Sequence, residues 1–306
     1  MKIAAISMTM NDDFRLSAWK SYYDEYKDEI SEHIIVDNGS TQEYLNLLHD
    51  TFPASTIIEL GYNGGCTGAY NAGIRKALTN PIIDAILLIG NDVRIEKGGL
   101  TKLYGILFSN TEYGMIAPVL LKKDSQIIEC FGSTLNLKNG YAKDIYGKQP
   151  LTEIGKKTME VGLVPGGANL SKRIFYEPEG VGLQDENLFM YCDERDMALR
   201  AKKKGYRTIA TSEALSWHQH IDRIGNHRDP RTEYLRARNY IYIANKHFSK
   251  KTKYTELIIR LFLQTALYLR DIRIKERRIQ YYYYIKGVIA GLRNNMDNSL
   301  MGHTEK

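Results

Sequence analysis

The first ninety residues alternate short apolar segments with amphipathic ones, and this alternation limits the folds open to the chain. The predicted elements are strands at 2–7, 33–36, 55–60 and 85–89 and helices at 14–26, 42–49 and 69–78. Strands joined by helices of this length form βαβ units and a parallel sheet. The sequence therefore predicts an α/β fold, in which ligands bind beyond the carboxyl ends of the strands.

Polar turns follow three of these strands, at 9–11, 37–40 and 90–92. Asp37 precedes an Asn-Gly pair that favours a tight turn, so it is either a turn residue or an acceptor of hydrogen bonds from a nucleoside. Asp92 ends the most hydrophobic strand, where a carboxylate needs solvent, a donor or a cation. It is therefore either a strand cap or a ligand of Mg²⁺ or Mn²⁺, since these cations prefer oxygen.

A glycine-rich segment at 63–73 joins a predicted strand to a helix. Its glycines allow the backbone to approach a phosphate or a sugar, and the helix N-terminus offers partial positive charge. The alternative is a loop that only packs the helix. Neither G-x-G-x-x-G nor G-x-x-x-x-G-K-[ST] occurs in this segment, which argues against a dehydrogenase or a P-loop protein.

An acidic cluster of Asp193, Glu194 and Asp196 begins a predicted helix at 193–204 that Gly205 ends. Acids in a first turn complement the helix dipole, and one of them is alternatively a general base. Asp196 lies four residues before Arg200 and is alternatively its ion-pair partner.

Two histidines, His218 and His220, follow Trp217 at alternate positions. On a strand they share one face, and each is either a metal ligand or a polar loop residue.

These motifs, taken in order, resemble the family 2 glycosyltransferases, and within them the bacterial rhamnosyl- and galactofuranosyltransferase-like enzymes. The residues that carry the resemblance over 1 to about 240 are Thr9-Met10-Asn11, Val36 to Ser40, the Asn63 to Gly73 segment, Asn91-Asp92, Gly166-Gly167-Ala168, Asp193 to Asp196, Trp217-His218 and Arg238-Asn239. The resemblance implies a GT-A fold, in which a nucleotide-binding α/β half is fused to an acceptor half. It also implies inverting transfer of a sugar from a UDP- or dTDP-linked donor to a glycan or lipid-linked glycan acceptor in cell-surface polysaccharide synthesis.

The resemblance also assigns roles to individual positions. Glu194 falls on the position of the base, with Asp193 as the alternative because the two acids are exchanged relative to the family. Asp92 matches the last acid of a D-x-D motif whose first position is here Gly90, and with His218 it is expected to hold Mg²⁺ or Mn²⁺. The expected donor-binding residues are Thr9, Asn11, Asp37, Asn63, Gly65, Asn71, Asn91 and Gly167.

The basic charge of the chain is concentrated near its C-terminus. Twelve Lys or Arg and three Asp or Glu lie between Lys246 and Arg293, a local net charge of +9 within a chain whose total is +6. Basic residues mixed with Leu, Ile, Phe and Tyr favour helices on an anionic membrane surface through residues 254–293. Packing on the catalytic domain or on a second subunit of a homo-oligomer is the alternative, and no nucleic-acid recognition motif accompanies the basic residues.

The cysteines and the hydropathy indicate the cellular compartment in which we expect the protein. Three widely spaced cysteines without a C-x-x-C pair indicate a reducing cytoplasm. Neither a signal peptide nor a spanning helix is expected, because the apolar runs are short or interrupted by polar residues. We therefore expect a cytoplasmic protein, peripheral on the inner face of the cell membrane.

Three regions are predicted: a nucleotide-sugar-binding half at 1–114, an acceptor half at 115–245 and a basic helical extension at 246–306. Two other functions compete with a glycosyltransferase. A sugar-phosphate nucleotidylyltransferase would share the nucleotide-binding half, but its usual glycine-rich, arginine-containing loop after the first strand is absent. A non-catalytic nucleotide-sugar-binding or assembly subunit is suggested by Gly90 and by the exchanged acids.

Overall fold

The computed structural model describes residues 1–219 and 229–302, so His220 lies outside the described residues. Its first part contains four strands and three helices in strict alternation: β1 Ile3–Thr9, α1 Leu16–Tyr26, β2 Glu32–Asp37, α2 Gln42–Thr51, β3 Thr56–Glu59, α3 Gly65–Leu78 and β4 Ala85–Ile89. β1 pairs in parallel with both β2 and β4, and β2 pairs in parallel with β3. The predicted parallel βαβ arrangement is therefore confirmed.

Among the residues that the structure describes, the second part adds eight further strands, six of them to the same sheet and two in a separate two-stranded sheet. Its elements are β5 Val93–Ile95, α4 Gly99–Phe108, β6 Tyr113–Lys122, β7 Ile128–Cys130, β8 Ser133–Leu135, β9 Ala142–Asp144, α5 Leu151–Ile154, β10 Thr158–Val161, β11 Ala168–Lys172, α6 Arg173–Tyr176, α7 Asp193–Lys203 and β12 Arg207–His218. The strand order is β10-β12-β6-β11-β4-β1-β2-β3, while β5 pairs with β12 and β7 with β6. One sheet thus runs through both predicted halves, and the boundary at 114 stays a prediction.

Helices cover both faces of this sheet. Successive residues of β1 point to opposite sides: Ile3 and Ala5 belong to the core beneath α4, whereas Ala4 and Ile6 belong to the core beneath α3 and α7. All four side chains are fully buried. Because both faces are covered, the carboxyl-end edge of the strands is the open place for a ligand.

Three long helices complete the chain: α8 Arg231–His247, α9 Lys250–Arg270 and α10 Lys275–Leu292. α10 packs closely on α8, because a Cβ atom at Gly287 would lie 2.3 Å from the backbone oxygen of Tyr234. The α9 helix buries none of its residues. Within 1–219 and 229–302, helices that combine the length and the hydropathy needed to cross a bilayer are absent.

The segment after α10 returns to the body of the protein. The buried guanidinium of Arg238 donates to the backbone oxygen of Asp297 and to Asn298 Oδ1, both at 2.8 Å. Asn63 Nδ2 lies 3.4 Å from the backbone oxygen of Met301. The C-terminal helices are therefore held to the glycine-rich segment of the first half.

Candidate active site

The turns after β1 and β2 lie side by side at the carboxyl ends of these strands. Thr9 and Asp37 are partners in the strand register. The backbone N–H of Asn11 donates to Ser40 Oγ at 2.9 Å, and Asn11 Oδ1 accepts from the backbone N–H of Thr41 at 3.0 Å. Three of the predicted donor-binding residues are thus brought together.

Asp37 organises its own turn. Its carboxylate accepts the backbone N–H groups of Gly39 and Ser40, both at 3.0 Å, and also the Ser40 hydroxyl. The turn role considered for this residue is confirmed, while its contact with a nucleoside stays a prediction.

Asn38 links this turn to the glycine-rich segment. Its Oδ1 accepts from the backbone N–H of Gly64 at 2.8 Å, and its Nδ2 donates to Asn63 Oδ1 at 3.1 Å and to the backbone oxygen of Gly65 at 3.2 Å. Asn38 is not among the predicted donor-binding residues, because an Asn-Gly pair by itself indicates only a tight turn. The helix predicted from residue 69 begins at Gly65, so most of the glycine-rich segment forms the first turns of α3.

Two further predicted donor-binding residues contact other parts of the chain. Asn71 on α3 is buried, and its carboxamide is bonded to both backbone groups of Gln184 and to Glu186 Oε1. Asn91 Nδ2 donates to Asp12 Oδ2 at 2.9 Å. Asn71 therefore holds the segment before α7, and donor binding by these residues stays a prediction.

Asp92 and His218 converge where β5 pairs with the end of β12. Asp92 Oδ2 lies 3.5 Å from His218 Nε2, and His218 Nδ1 lies 3.0 Å from Glu129 Oε1. A metal-binding histidine usually has its second nitrogen held by such a carboxylate. This donor set fits a Mg²⁺ or Mn²⁺ ion that takes its remaining ligands from a diphosphate. Glu129, on β7, was missed because it lies 89 residues before His218.

No cluster of three or more His, Cys, Asp and Glu side chains suited to a metal is found among residues 1–219 and 229–302. Arg15 Nη1 lies 3.1 Å from Asp92 Oδ2, so a basic side chain faces the same carboxylate. A Cβ atom at Gly90 would lie 2.8 Å from Asp92 Oδ1, which gives a steric reason for glycine at this position.

The charge of His218 responds to these neighbours. Burial disfavours the imidazolium, but the hydrogen bonds and charges of Asp92 and Glu129 outweigh burial and raise the pKa of His218 to about 9. A divalent cation bound through its nitrogen would compete with this proton.

The Gly166-Gly167 segment connects this turn to the acidic cluster. The backbone N–H of Gly90 donates to the oxygen of Gly167 at 2.9 Å. A Cβ atom at Gly166 would lie 2.7 Å from Glu194 Oε1. The carboxylate of Glu194 therefore lies against the backbone that borders the predicted donor site.

Asp193 and Glu194, the first residues of α7, differ in environment. Glu194 is exposed, whereas Asp193 is 6% exposed. Burial, followed by the charge of Glu194, raises the pKa of Asp193 well above its usual range. Asp193 therefore holds a proton more readily than an ordinary aspartate. Of the two acids, the exposed Glu194 is the one that a substrate can reach.

Asp196 has a different role. It is completely buried and pairs with Arg200 Nε at 2.7 Å, Lys246 Nζ at 2.9 Å and His247 Nε2 at 2.7 Å. Burial opposes ionisation, but these partners outweigh it and hold the pKa of Asp196 below its usual range. The predicted Arg200 ion pair is confirmed, and Asp196 joins α7 to the end of α8.

The loop before α7 is held in an unusual backbone conformation. Phe189, Tyr191 and Cys192 have left-handed φ angles of 60°, 68° and 66°, which non-glycine residues adopt at a cost. The carboxamide of Asn239 on α8 donates to three backbone oxygens of this loop, those of Leu188 (2.8 Å), Met190 (2.8 Å) and Tyr191 (2.9 Å). Asn239 thus fixes the segment that leads directly into Asp193 and Glu194.

The same loop contacts the glycine-rich segment. The backbone oxygen of Phe189 accepts from the backbone N–H of Thr67 at 3.1 Å. A Cβ atom at Gly65, whose φ is +69°, would lie 2.4 Å from that oxygen. The predicted base and the predicted donor segment are therefore in contact through one short loop.

A cavity of about 450 Å³ opens beside Glu194, between the Gly166 segment and helices α7, α8 and α9. Arg195, Arg236 and Arg260 line it together with Tyr240. This cavity has room for part of a substrate on the side of the predicted base.

Comparison with known proteins identifies the first half of the chain. Residues 16–146 match the family described as "Glycosyl transferase family 2". The matched region contains the turns at 37–40 and 90–92 and the glycine-rich segment.

Two characterised relatives extend the similarity. The chain is 26% identical to the low-salt glycan biosynthesis hexosyltransferase Agl10 of Haloferax volcanii, over 87% of this chain and 84% of that protein. It is 24% identical to the N-acetylglucosaminyl-diphospho-decaprenol L-rhamnosyltransferase of Mycobacterium tuberculosis, over 70% of this chain and 75% of that protein.

Solved structures show the same fold at low sequence identity. The mannosyltransferase PcManGT of Pyrobaculum calidifontis, in complex with GDP-Man and Mn²⁺, superposes with a TM-score of 0.56 at 15% identity, over 95% of this chain and 87% of that one. GalNAc-T7 with UDP, GalNAc and Mn²⁺ superposes with a TM-score of 0.60 at 12% identity, over 80% of this chain. The match spans about half of that longer protein, 48% of its length. Residues 16–146 thus carry the match to the family 2 glycosyltransferases, and the chain is a glycosyltransferase with the GT-A fold.

Proposed function

We propose that this glycosyltransferase inverts the anomeric centre of a UDP- or dTDP-linked sugar and transfers the sugar to a glycan or lipid-linked glycan acceptor. The names of the two relatives, one a hexosyltransferase of glycan biosynthesis and one a rhamnosyltransferase for a diphospho-decaprenol-linked sugar, support this substrate class. A place in cell-surface polysaccharide synthesis belongs to the same proposal.

The observation that carries the proposal is the environment of Glu194. Its exposed carboxylate lines the cavity, while the adjacent Asp193 is buried with a raised pKa. Glu194 also lies against Gly166, which borders the same cavity and precedes Gly167, whose oxygen accepts from the backbone N–H of Gly90. One exposed carboxylate therefore lies at the open cavity and close to the backbone that borders the predicted donor site.

A single displacement accounts for the chemistry. The acceptor hydroxyl oxygen attacks the anomeric carbon, and its proton passes to Glu194 as general base. The bond between the anomeric carbon and the diphosphate oxygen breaks, and its electron pair leaves with the diphosphate. Because attack and departure occur on opposite faces of the sugar, the configuration is inverted.

The leaving group develops negative charge on the side away from Glu194. In this proposal Asp92 and His218 hold a Mg²⁺ or Mn²⁺ ion, which when bound supplies electrostatic stabilisation to the diphosphate. Glu129 orients His218 through Nδ1, and the N-terminal end of α3 adds backbone N–H groups.

The test is a donor screen followed by one substitution. UDP-, dTDP- and GDP-sugars are compared with Mn²⁺ for thermal stabilisation, because a ligand that binds the folded state raises its apparent stability. With the best donor, Glu194→Gln is expected to lower turnover by about 10²- to 10⁴-fold while the thermal shift persists.

Glu153→Gln, on exposed α5, is the matched control and should act as wild type. Turnover by Glu194→Gln near the wild-type rate would reject Glu194 as base and make Asp193 the candidate. Wild-type protein that binds the donor but shows neither hydrolysis nor transfer with Mn²⁺ would favour the non-catalytic nucleotide-sugar-binding alternative.

We also propose that the protein is cytoplasmic and binds the inner face of the cell membrane through α9. Ile258 and Phe262, one turn apart on this helix, are 66% and 71% exposed. Basic residues on α9 and α10, among them Arg270, Lys275 and Arg277, complement anionic lipid. A second copy of the chain is the other occupant considered for this apolar surface.

Flotation with vesicles of phosphatidylcholine, with and without phosphatidylglycerol, tests this surface in the full chain. The Ile258→Ser/Phe262→Ser variant should lose binding to the anionic vesicles. The matched control is Leu47→Ser/Ile82→Ser, which removes exposed apolar side chains elsewhere. Unchanged vesicle binding by Ile258→Ser/Phe262→Ser would reject α9 as the membrane anchor. If sedimentation velocity shows a dimeric wild type and a monomeric variant, the surface is the interface of a homo-oligomer.

A further inference from the structure

The cavity beside Glu194 is strongly basic. The described residues that line it include three arginines and a single acidic residue, Glu194. The arginines come from three different helices: Arg195 from α7, Arg236 from α8 and Arg260 from α9. Three separate elements therefore direct positive charge to the place where the acceptor must approach the base.

Aromatic rings hold two of these guanidinium groups. The guanidinium of Arg260 lies 3.7 Å from the centre of the Tyr240 ring, and that of Arg236 lies 5.0 Å from the centre of the Tyr191 ring. Stacking fixes the plane of a guanidinium and leaves its N–H edge available for hydrogen bonds.

Nearby carboxylates neutralise these arginines weakly. Arg236 Nη1 lies 3.4 Å from Glu233, and Arg260 Nε lies 3.8 Å from Glu256. Within 1–219 and 229–302, Arg195 has no carboxylate within ion-pair distance. The Nε atoms of Arg195 and Arg260 are buried and have no hydrogen-bond partner among the described residues, an arrangement that costs free energy.

The cavity continues away from Glu194 between the C-terminal helices. Arg236, Tyr240 and Arg260 also line a second cavity of about 220 Å³, enclosed by α8, α9 and α10. Leu257 and Val288 give this second cavity apolar walls. A phosphate held by the arginines would thus have a further cavity beside it, lined by the polar Glu233 and Gln264 as well as by these apolar side chains.

We propose that Arg195, Arg236 and Arg260 form a subsite for a phosphate or diphosphate group of the acceptor. Planar guanidinium groups bind phosphate oxygens through paired hydrogen bonds, more specifically than lysines do. The subsite belongs to the acceptor because it shares the cavity with Glu194, and in an inverting reaction the donor diphosphate leaves from the opposite face. This assignment rests on the proposed role of Glu194.

Direct binding tests the subsite without requiring turnover. The donor site is first saturated with Mn²⁺ and the nucleoside diphosphate that stabilises the chain most, and farnesyl diphosphate is then titrated by calorimetry. Wild-type protein should bind this probe, more weakly as the salt concentration rises, and farnesol should not bind. Arg236→Gln and Arg260→Gln should each weaken binding at least about tenfold, which corresponds to about 1.4 kcal/mol.

Two further variants make the result decisive. Lys253→Gln removes a charge from the same helix, α9, but lies outside the cavity, so it should bind as wild type. Arg195→Gln changes a half-buried side chain that forms no ion pair with any residue the structure describes, and it should weaken binding without loss of the nucleotide thermal shift.

Titration with inorganic pyrophosphate distinguishes two kinds of acceptor that could carry the phosphate, a free phosphorylated sugar and a lipid-linked one. Equal affinity for pyrophosphate and farnesyl diphosphate would indicate a free phosphorylated sugar acceptor, whereas tighter binding of farnesyl diphosphate would indicate a lipid-linked one. Salt-independent binding, equal binding of farnesol, or wild-type affinity in the three arginine variants would overturn the subsite. A retained thermal shift with the nucleotide would then leave the donor proposal intact.

Discussion

Replacing Asn239 by Ala should release the loop that carries the predicted base. Asn239 is completely buried, and its carboxamide N–H groups serve three backbone oxygens at 2.8 to 2.9 Å. Alanine removes this donor from all three oxygens, and that of Leu188 retains a second donor, the backbone N–H of Met190. Each unsatisfied buried group costs about 1–3 kcal/mol. Two N–H groups are lost, so we expect a loss of about 3 kcal/mol in the free energy of unfolding.

The effect on catalysis should exceed the effect on donor binding. Without the carboxamide, the left-handed residues Phe189, Tyr191 and Cys192 can relax, because each such conformation costs about 1–3 kcal/mol. Relaxation would displace Glu194, which follows Cys192 by two positions. A displacement of about 1 Å lowers turnover by about 100-fold, so kcat should fall while the KM for the donor changes little.

The assay combines urea unfolding, followed by tryptophan fluorescence, with steady-state kinetics. Asn187→Ala is the matched control, since this exposed asparagine bonds to Asp185 and Tyr242 near the same loop. Asn187→Ala should lower the free energy of unfolding by less than about 1 kcal/mol. Asn239→Ala with wild-type stability, or with reduced stability but unchanged kcat, would refute the idea that this side chain positions the base.

Three other substitutions test the contacts around the site. Gly65→Ala should lower the free energy of unfolding by at least about 1 kcal/mol, because the φ of Gly65 is positive and the new Cβ would meet the Phe189 oxygen. Gly68→Ala on the same helix has open space for its Cβ and should leave thermal stability unchanged or raise it. Asp196→Asn should lower the free energy of unfolding by about 3 kcal/mol at neutral pH. Because the pKa of Asp196 is lowered in the folded protein, the wild type should lose this stabilisation as the pH falls below about 4, and the variant should not. Because the pKa of Asp193 is raised in the folded protein, the free energy of unfolding of the wild type should fall as the pH rises above about 4 toward that pKa. Denaturation of Asp193→Asn at a series of pH values should not show this fall.

Local sequence patterns predicted the parallel half of the sheet and α7 closely. The strand at 85–89 has the predicted bounds, and α7 ends one residue before its predicted end. Gly205 has the left-handed φ of +83° expected after a helix. These features depend on residues within one turn of each other, so a single sequence contains the information needed to find them.

Long-range contacts account for the parts of the site that sequence reasoning missed. Glu129 reaches His218 across 89 residues, and Asn239 reaches Leu188 across 51. The pairing depends on how β7 lies beside β6 and on how α8 packs behind the loop. Asn239 had a detectable signal, its place in the Arg238-Asn239 pair, but its role required the geometry of the loop.

The loop at 188–192 explains how the predicted donor segment and the proposed base can be held in a fixed relation although they belong to different predicted halves of the chain. Its Phe189 oxygen bonds to Thr67 on the donor side, and its last residue precedes Asp193 at the start of α7. Such a loop transmits position only if it is stiff, and left-handed residues clamped by Asn239 make it so at a cost in stability. The base should therefore respond to changes in the glycine-rich segment. In a double-mutant cycle of Gly65→Ala with Asn239→Ala on kcat, the two effects should be non-additive, and additivity would show that the contact carries no coupling.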